Sequence, residues 1–343
     1  MKTLTINKVF VMYRYLLKAM CLAAALSTVV SCEKAPCEEC RKEQEGAEYG
    51  GSGNRVKVSV KAPSATKSPA GEESAIGECI LYVFDTSTGN LQYSFQDEGG
   101  VFDFTIVTGT YDFVVMANAS DSQPLSKGML LATPVLLSSS RPGHFQMYGC
   151  ADAVPVLGGK ELSIEVSRIV SKVDYEVTVD WRRPEYAVRE FLVKGAYMTN
   201  VAGSYVIGGP EVSDVWFNMM FYAPSSASNL TFRQESVIMR QSDTLSSGRP
   251  FYVFPNCAED CRDREVWSPR CTRFVLEASL AGETFYYPVT LPDIGPNTAF
   301  KVSLVITGPG MRHPEDTEAV EEAFEADVRV LDWETGEEIQ LNY

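Results

Sequence analysis

From Val56 onward, apolar residues in this chain recur at every second position, in short runs broken by turn residues, and helical spacing is scarce. A period of two marks strands with one buried face, because successive side chains of an extended chain point to opposite sides. The first such run is "VKVSVK", where Val56, Val58 and Val60 alternate with Lys57, Ser59 and Lys61. Residues 63–73 follow, with two prolines, small polar residues and no pattern. A well-formed strand that opens into a slack, protease-accessible loop is either the start of a long insertion or a strand that can be detached.

Strand-like runs separated by turn signals fill the rest of the chain. "CILYVFDTSTGNLQYSF" predicts two strands around a turn at residues 87–90, and "GGVFDFTIVTGTYDFVVMANA" predicts a second pair turned at 108–110. In "ELSIEVSRIVSKVDYEVTVDW", Leu162, Ile164 and Val166 share one parity, whereas Val173, Tyr175, Val177 and Val179 share the other. A one-residue slip turns every side chain to the opposite face, so the phase change across residues 167–172 predicts a bulge or a strand changing partners. Arg168 and Lys172 lie at that switch and are expected to cover a sheet edge or pair with carboxylates.

A chain of 343 residues with 45% hydrophobic content can bury more than one core. The expected fold class is all-β, with two antiparallel β-sandwiches at residues 55–180 and 181–343 and the charged, proline-broken "WRRPEYAVRE" as their junction. A net charge of −15 disfavours nucleic acid as a partner, since its phosphates would be repelled. After the N-terminus no apolar run reaches the roughly 20 residues of a membrane-spanning helix.

The N-terminus reads as an export signal over residues 1–31. Lys8, Arg14 and Lys18 precede the apolar run "MCLAAALSTVV", which ends at "VVSC". That ending is a lipobox, with Cys32 as the lipidated first residue of the mature chain; a plain signal with Cys32 incidental is the alternative. A start at Met12 gives a more ordinary signal length. Residues 32–54, acidic and Gly-rich without periodicity, are expected to be a flexible tether.

Chemistry-bearing groups are sparse. With Cys21 removed in the signal and Cys32 lipidated, Cys37, Cys40, Cys79, Cys150, Cys257, Cys261 and Cys271 remain, an odd number in an oxidising compartment. "CAEDCRDREVWSPRC" predicts a loop disulfide, either Cys257–Cys271 or Cys261–Cys271. A structural zinc needs four ligands, and no histidine or fourth cysteine is near. Cys37 and Cys40 have redox or metal spacing but sit in the tether, while Cys79 and Cys150 read as small strand residues. Neither His144 nor His313 has a nucleophile-elbow setting, and the turn at 85–90 lacks a calcium-loop pattern, so no catalytic residue, metal or cofactor is expected. Trp216, Phe217, Phe221 and Tyr222 form either an apolar binding patch or, as preferred, a core edge.

Several segments, in order, are similar to one family. "ILYVFDTSTGNL", "VTGTYDFVVMANAS", "SRIVSKVDYEVTV", "FYVFPN", "FYYPVTLPDIGPNTAFKVSLVITGPG" and "VRVLDW" resemble motifs of the FimA-like fimbrillins, subunits of the type V pili of Bacteroides-type bacteria. Ser171 stands where the family usually has alanine, and the acidic run after Cys32 looks like the surface-export signal of Bacteroides-type lipoproteins. The resemblance implies two transthyretin-like sandwiches, an outer-membrane lipid anchor and a structural role in a fimbria. It also implies that the first strand, with Val56, Val58 and Val60, is cut away and replaced by a strand from a neighbouring subunit. The family's protease commonly cuts after arginine, and the loop at 63–73 has none; its only basic residue is Lys67. Arg41 and Arg55 lie upstream of the strand, so cutting there would leave it in place. This departure tilts the expectation from a shaft subunit toward an anchor or tip accessory. A C-terminal hairpin, with Phe324, Ala326, Val328 and Val330 and then Ile339, Leu341 and Tyr343 on single faces, is expected either to donate a strand or to close the second sandwich. The alternative function is a surface lipoprotein that binds a glycan or host ligand without polymerising.

Overall fold

The computed structural model describes residues 53–63, 73–209, 213, 215–218, 231–256, 271–315 and 323–339. The expectations placed on Cys32, Lys67, Cys257, Cys261, Phe221, Tyr222, Leu341 and Tyr343 lie outside the described residues. No described helix is long and apolar enough to cross a membrane. The fold is all-β, with several antiparallel sheets.

The first strand, β1 (Asn54–Lys61), follows the alternation read from the sequence: Val56 and Val58 are buried, Lys57 and Ser59 exposed. It is not an edge. It lies in the middle of a three-stranded sheet formed with β4 (Val101–Ile106) and β8 (Lys160–Glu165). Facing it is a five-stranded sheet of β2 (Cys79–Asp85), β3 (Leu91–Asp97), β5 (Gly109–Ala117), β7 (Met147–Val156) and β9 (Ser167–Arg168), in the order β3-β2-β5-β7-β9. Val56, Val58, Phe102, Leu81, Phe113, Val115 and Ile164 fill the space between the sheets.

The pair expected across residues 101–117 is not a hairpin. β4 pairs with β1, whereas β5 pairs with β2 and β7, so residues 107–108 carry the chain from one sheet to the other. Alternation alone cannot separate these outcomes, because a strand buries one face equally well in either sheet. The run Ile80–Phe84 is apolar at every position because its sheet is covered on both sides. Helix α1 (Lys127–Ala132) lays Leu130 over Ile80, Tyr82, Phe84, Val114 and Met116 on the outer face. Ser126 caps the helix by accepting from the Met129 amide, and Lys127 Nζ binds Asp112 at 2.8 Å and Asp152 at 2.7 Å.

The phase change marks a strand changing partners. Met147 and Tyr148 pair with Arg168 and Ser167, and from Ser171 the chain belongs to another sheet. β10 (Ser171–Val179) pairs in parallel with β20 (Thr298–Ile306) and antiparallel with β16 (Thr244–Ser246) and β17 (Phe251–Val253), and β20 pairs with β21 (Phe324–Asp332). The second layer over this core is β15 (Phe232–Met239), β11 (Phe191–Thr199), β18 (Arg273–Leu280) and β19 (Glu283–Thr290), in that order.

The expected division after Asp180 is therefore displaced. β10 contributes Val173, Tyr175, Val177 and Val179 to the second core, so the change of core falls at residues 166–170. Nor is "WRRPEYAVRE" a junction. It contains the short helix α2 (Pro184–Ala187), and Trp181 packs edge-on against Phe191 at 5.2 Å within the second core. Both misplacements have one cause: charged residues and a proline mark an exposed connection but do not say whether it leaves the body.

Residues 53–339 belong to one compact unit. Two short ladders help hold it together: β6 (Val135–Leu136) pairs with β13 (Ser204–Tyr205), and β12 (Val201–Ala202) pairs with β14 (Trp216–Phe217). Trp216 and Phe217 pack against the second core, as preferred from the sequence.

Candidate functional site

β1 rests in a groove whose walls are β4 and β8. It runs antiparallel to β4, with Val56 opposite Phe104 and Val58 opposite Phe102, and parallel to β8, with Val58 opposite Leu162 and Val60 opposite Ile164. Both ladders continue past their strands through Val60 N–H to the Gly100 carbonyl at 2.8 Å and Val166 N–H to the Lys61 carbonyl at 3.0 Å. Gly100 has φ +67°, and a Cβ there would lie 2.9 Å from Val60, so glycine is required where the β3–β4 turn meets the strand. Val56 and Val58 are 0% and 1% exposed. Backbone bonds on both edges and apolar side chains at alternate positions are what an extended segment needs for affinity and register.

The outer face of the groove is polar. Arg55 donates from Nε to Asp103 Oδ1 at 2.7 Å and from Nη2 to Oδ2. This bond to the guanidinium holds the Asp103 carboxyl below its ordinary range. Lys57 Nζ lies 3.9 Å from Glu161, and Lys61 stands opposite Glu165 in the parallel ladder.

At residue 73 the chain is fastened to the second core by a residue that sequence reasoning missed. Glu73 Oε1 accepts from Tyr252 at 2.7 Å, and Oε2 accepts from Lys172 at 3.1 Å and Trp333 Nε1 at 3.0 Å. Its carbonyl accepts from Arg168 Nε at 2.8 Å. Desolvation works to raise the Glu73 carboxyl, but the Tyr252 bond, the Lys172 charge and the Trp333 bond together outweigh it and leave the group below its ordinary value. Arg168 is 2% exposed and lies 4.6 Å from the Trp333 ring centroid, with Lys172 at 5.0 Å. Its guanidinium also donates to Asn297 at 3.0 Å and lies 3.9 Å from Glu334. The expected pairing of Arg168 and Lys172 with carboxylates is thus met, but in a buried cluster where the two cores adjoin. Nothing in "GEES" singles out Glu73, since its partners are 99 to 260 residues away.

A cavity of about 280 Å³ opens over the outer face of the five-stranded sheet, lined by Tyr82, Met116, Asp121, Leu130, Gln146 and Ile207 among others. Tyr82 donates to Asp121 at 2.7 Å. Cys79 and Cys150 are free thiols, and Cys271 is disulfide-bonded. Among the described residues, no group of three or more His, Cys, Asp or Glu is placed to hold a metal.

Neither a family model nor a curated protein matches the sequence. Solved structures do. A candidate cell adhesion protein of Bacteroides eggerthii superposes with TM-score 0.65 at 15% identity, over 84% of this chain and 98% of that one. A fimbrilin of Porphyromonas gingivalis gives 0.59 at 16% identity, over 82% and 98%. The chain has the fimbrilin fold. A tip fimbrial protein of Porphyromonas gingivalis, truncated at its C-terminus, also shares it, with TM-score 0.50 at 12% identity over 81% of this chain and all of that one. Within the fimbrilin fold of this chain, β1 in its groove precedes residues 64–72 in the sequence and the Glu73 cluster follows them.

Proposed function

We propose that this chain is a non-enzymatic structural subunit of a cell-surface fimbria, exported as a lipoprotein anchored at Cys32 and assembled by donor-strand exchange. In this reading the two cores are tandem transthyretin-like sandwiches. The observation that carries it is the place of β1: an N-terminal strand held between β4 and β8, followed at once by a proline-broken segment with Lys67 as its basic residue. Loss of β1 after cleavage at Lys67 leaves two strand edges and an apolar floor open to a segment from another subunit. The fimbrilin fold supports the same reading. A retained strand and lipid suit an anchor or tip accessory, because the loop offers no arginine.

Mass spectrometry of the protein from its native envelope tests this. An N-terminus near Ser68 with SDS-resistant ladders identifies a shaft subunit, and diacylglyceryl-Cys32 with ladders identifies an anchor or accessory. The same lipidated N-terminus with monomers only refutes fimbrial assembly. It supports the second reading, a surface adhesin for a glycan or host ligand, which the cavity beside Tyr82 and Asp121 favours.

A further inference from the structure

The outer face of the β1 groove carries charge of one sign. On β4 the solvent-facing residues are Val101, Asp103 and Thr105, and on β8 they are Glu161, Ser163 and Glu165. The two walls thus present Asp103, Glu161 and Glu165 with no cation among them. Every one of these carboxylates is met by a basic residue of β1. Arg55 binds Asp103 through two bonds, Lys57 lies directly opposite both Asp103 and Glu161, and Lys61 lies opposite Glu165. The only outward β1 residue without charge in this register, Ser59, faces Val101 and Ser163, which are also uncharged. Charge complementarity therefore follows the strand, with Arg55 reaching diagonally past its register partner Thr105 to Asp103 and Lys57 and Lys61 standing opposite carboxylates.

A strand leaving this groove takes three cations with it and leaves three carboxylates flanking a gap, in a chain whose net charge is already −15. Like charges opposed across strands oppose pairing, and opposite charges favour it and steer the encounter. Among the described residues, the β-strand nearest the C-terminus, β21, does not have the required pattern. With its apolar residues turned inward, β21 points Glu325, Asp327 and Arg329 outward, a net charge of −1 where β1 carries +3.

Resting on the strand-exchange reading above, we infer that the groove selects a strand with β-branched apolar residues alternating with lysine or arginine. Such a strand runs parallel to β8 and comes from a different protein rather than from β21 of a second copy. Asp103, Glu161 and Glu165 are the specificity-determining residues.

The test uses the full chain with a site-specific protease sequence in place of residues 64–70, cut and then warmed until the β1 fragment exchanges. Fluorescent peptides are titrated by anisotropy: "RVKVSVK", the same peptide with glutamine at its three basic positions, and "FEADVRVLD" from β21. Exposed ion pairs each change affinity about two- to threefold, so the glutamine peptide is expected to bind about tenfold more weakly and the β21 peptide more weakly still. The gap should narrow in 1 M salt. The chain carrying Asp103→Asn, Glu161→Gln and Glu165→Gln should bind the basic and glutamine peptides alike.

Binding of the glutamine or β21 peptide within twofold of the basic one overturns the charge rule while leaving strand exchange standing. Co-purification of untagged with tagged cut chains overturns the requirement for a different protein. If β1 never leaves and no peptide enters, strand exchange itself fails, and the inference with it.

Discussion

Replacing Glu73 by glutamine isolates the charge at the cluster that joins the two cores while keeping its shape. The carboxylate accepts three side-chain bonds and is 15% exposed. The amide can keep contacts with all three donors if its nitrogen turns toward the Tyr252 hydroxyl, which can then accept. What is lost is charge. Bonds to a charged partner contribute about 1.5–3 kcal/mol, against about 0.5–1.5 for neutral ones. Tyr252 and Trp333 each lose about that difference, and Lys172 loses its counterion, so the expected cost, discounted for partial exposure, is about 2 kcal/mol. The pH dependence follows from the lowered carboxyl. A group whose folded value lies below its ordinary value of 4.5 contributes stability that is fully present above that value and is lost as pH falls through the folded one. Urea unfolding followed by tryptophan fluorescence should therefore show Glu73→Gln less stable at pH 7, with the gap closing below pH 4.5. A difference under about 0.5 kcal/mol at pH 7, or one unchanged with pH, would refute the role assigned to the cluster. In the strand-exchange reading, this fastening keeps the cut end in place while β1 alone departs.

Two further outcomes are expected. Val58→Ala removes two buried methyl groups from the groove floor and should cost about 2 kcal/mol in urea unfolding, whereas Ser59→Ala on the exposed face should cost less than about 0.5; equal costs would mean that β1 is not seated as described. Maleimide labelling of the native protein should modify exposed Cys150 and spare Cys79, whose burial pushes its thiol up to about 11, until urea exposes it; early labelling of Cys79 in peptide mass maps would show that the first core is open.

Local alternation was enough to read strand identity in this chain. β1 and β10 bury the parity that their apolar residues mark, and the parity change at residues 167–172 is where the chain moves from one sheet to another. Both signals reside in consecutive side chains, so they are visible without knowledge of any partner. The strands' neighbours were not visible in this way. β4 and β5 look like a hairpin and are not, and the alternation of β1 does not say that it lies between two strands, because a period of two specifies a buried face but not the strand beside it. Glu73 belongs to the same class of facts. Its chemistry arises only when Lys172, Tyr252 and Trp333 converge from distant positions in the chain. The acidic walls of the groove do likewise, since Asp103 and Glu161 face Lys57 only after two separate strands have closed around it. The sequence by itself determined which residues turn inward; only the tertiary structure decided which of them meet, because hydrophobic burial has no direction whereas pairing and ion contacts depend on register.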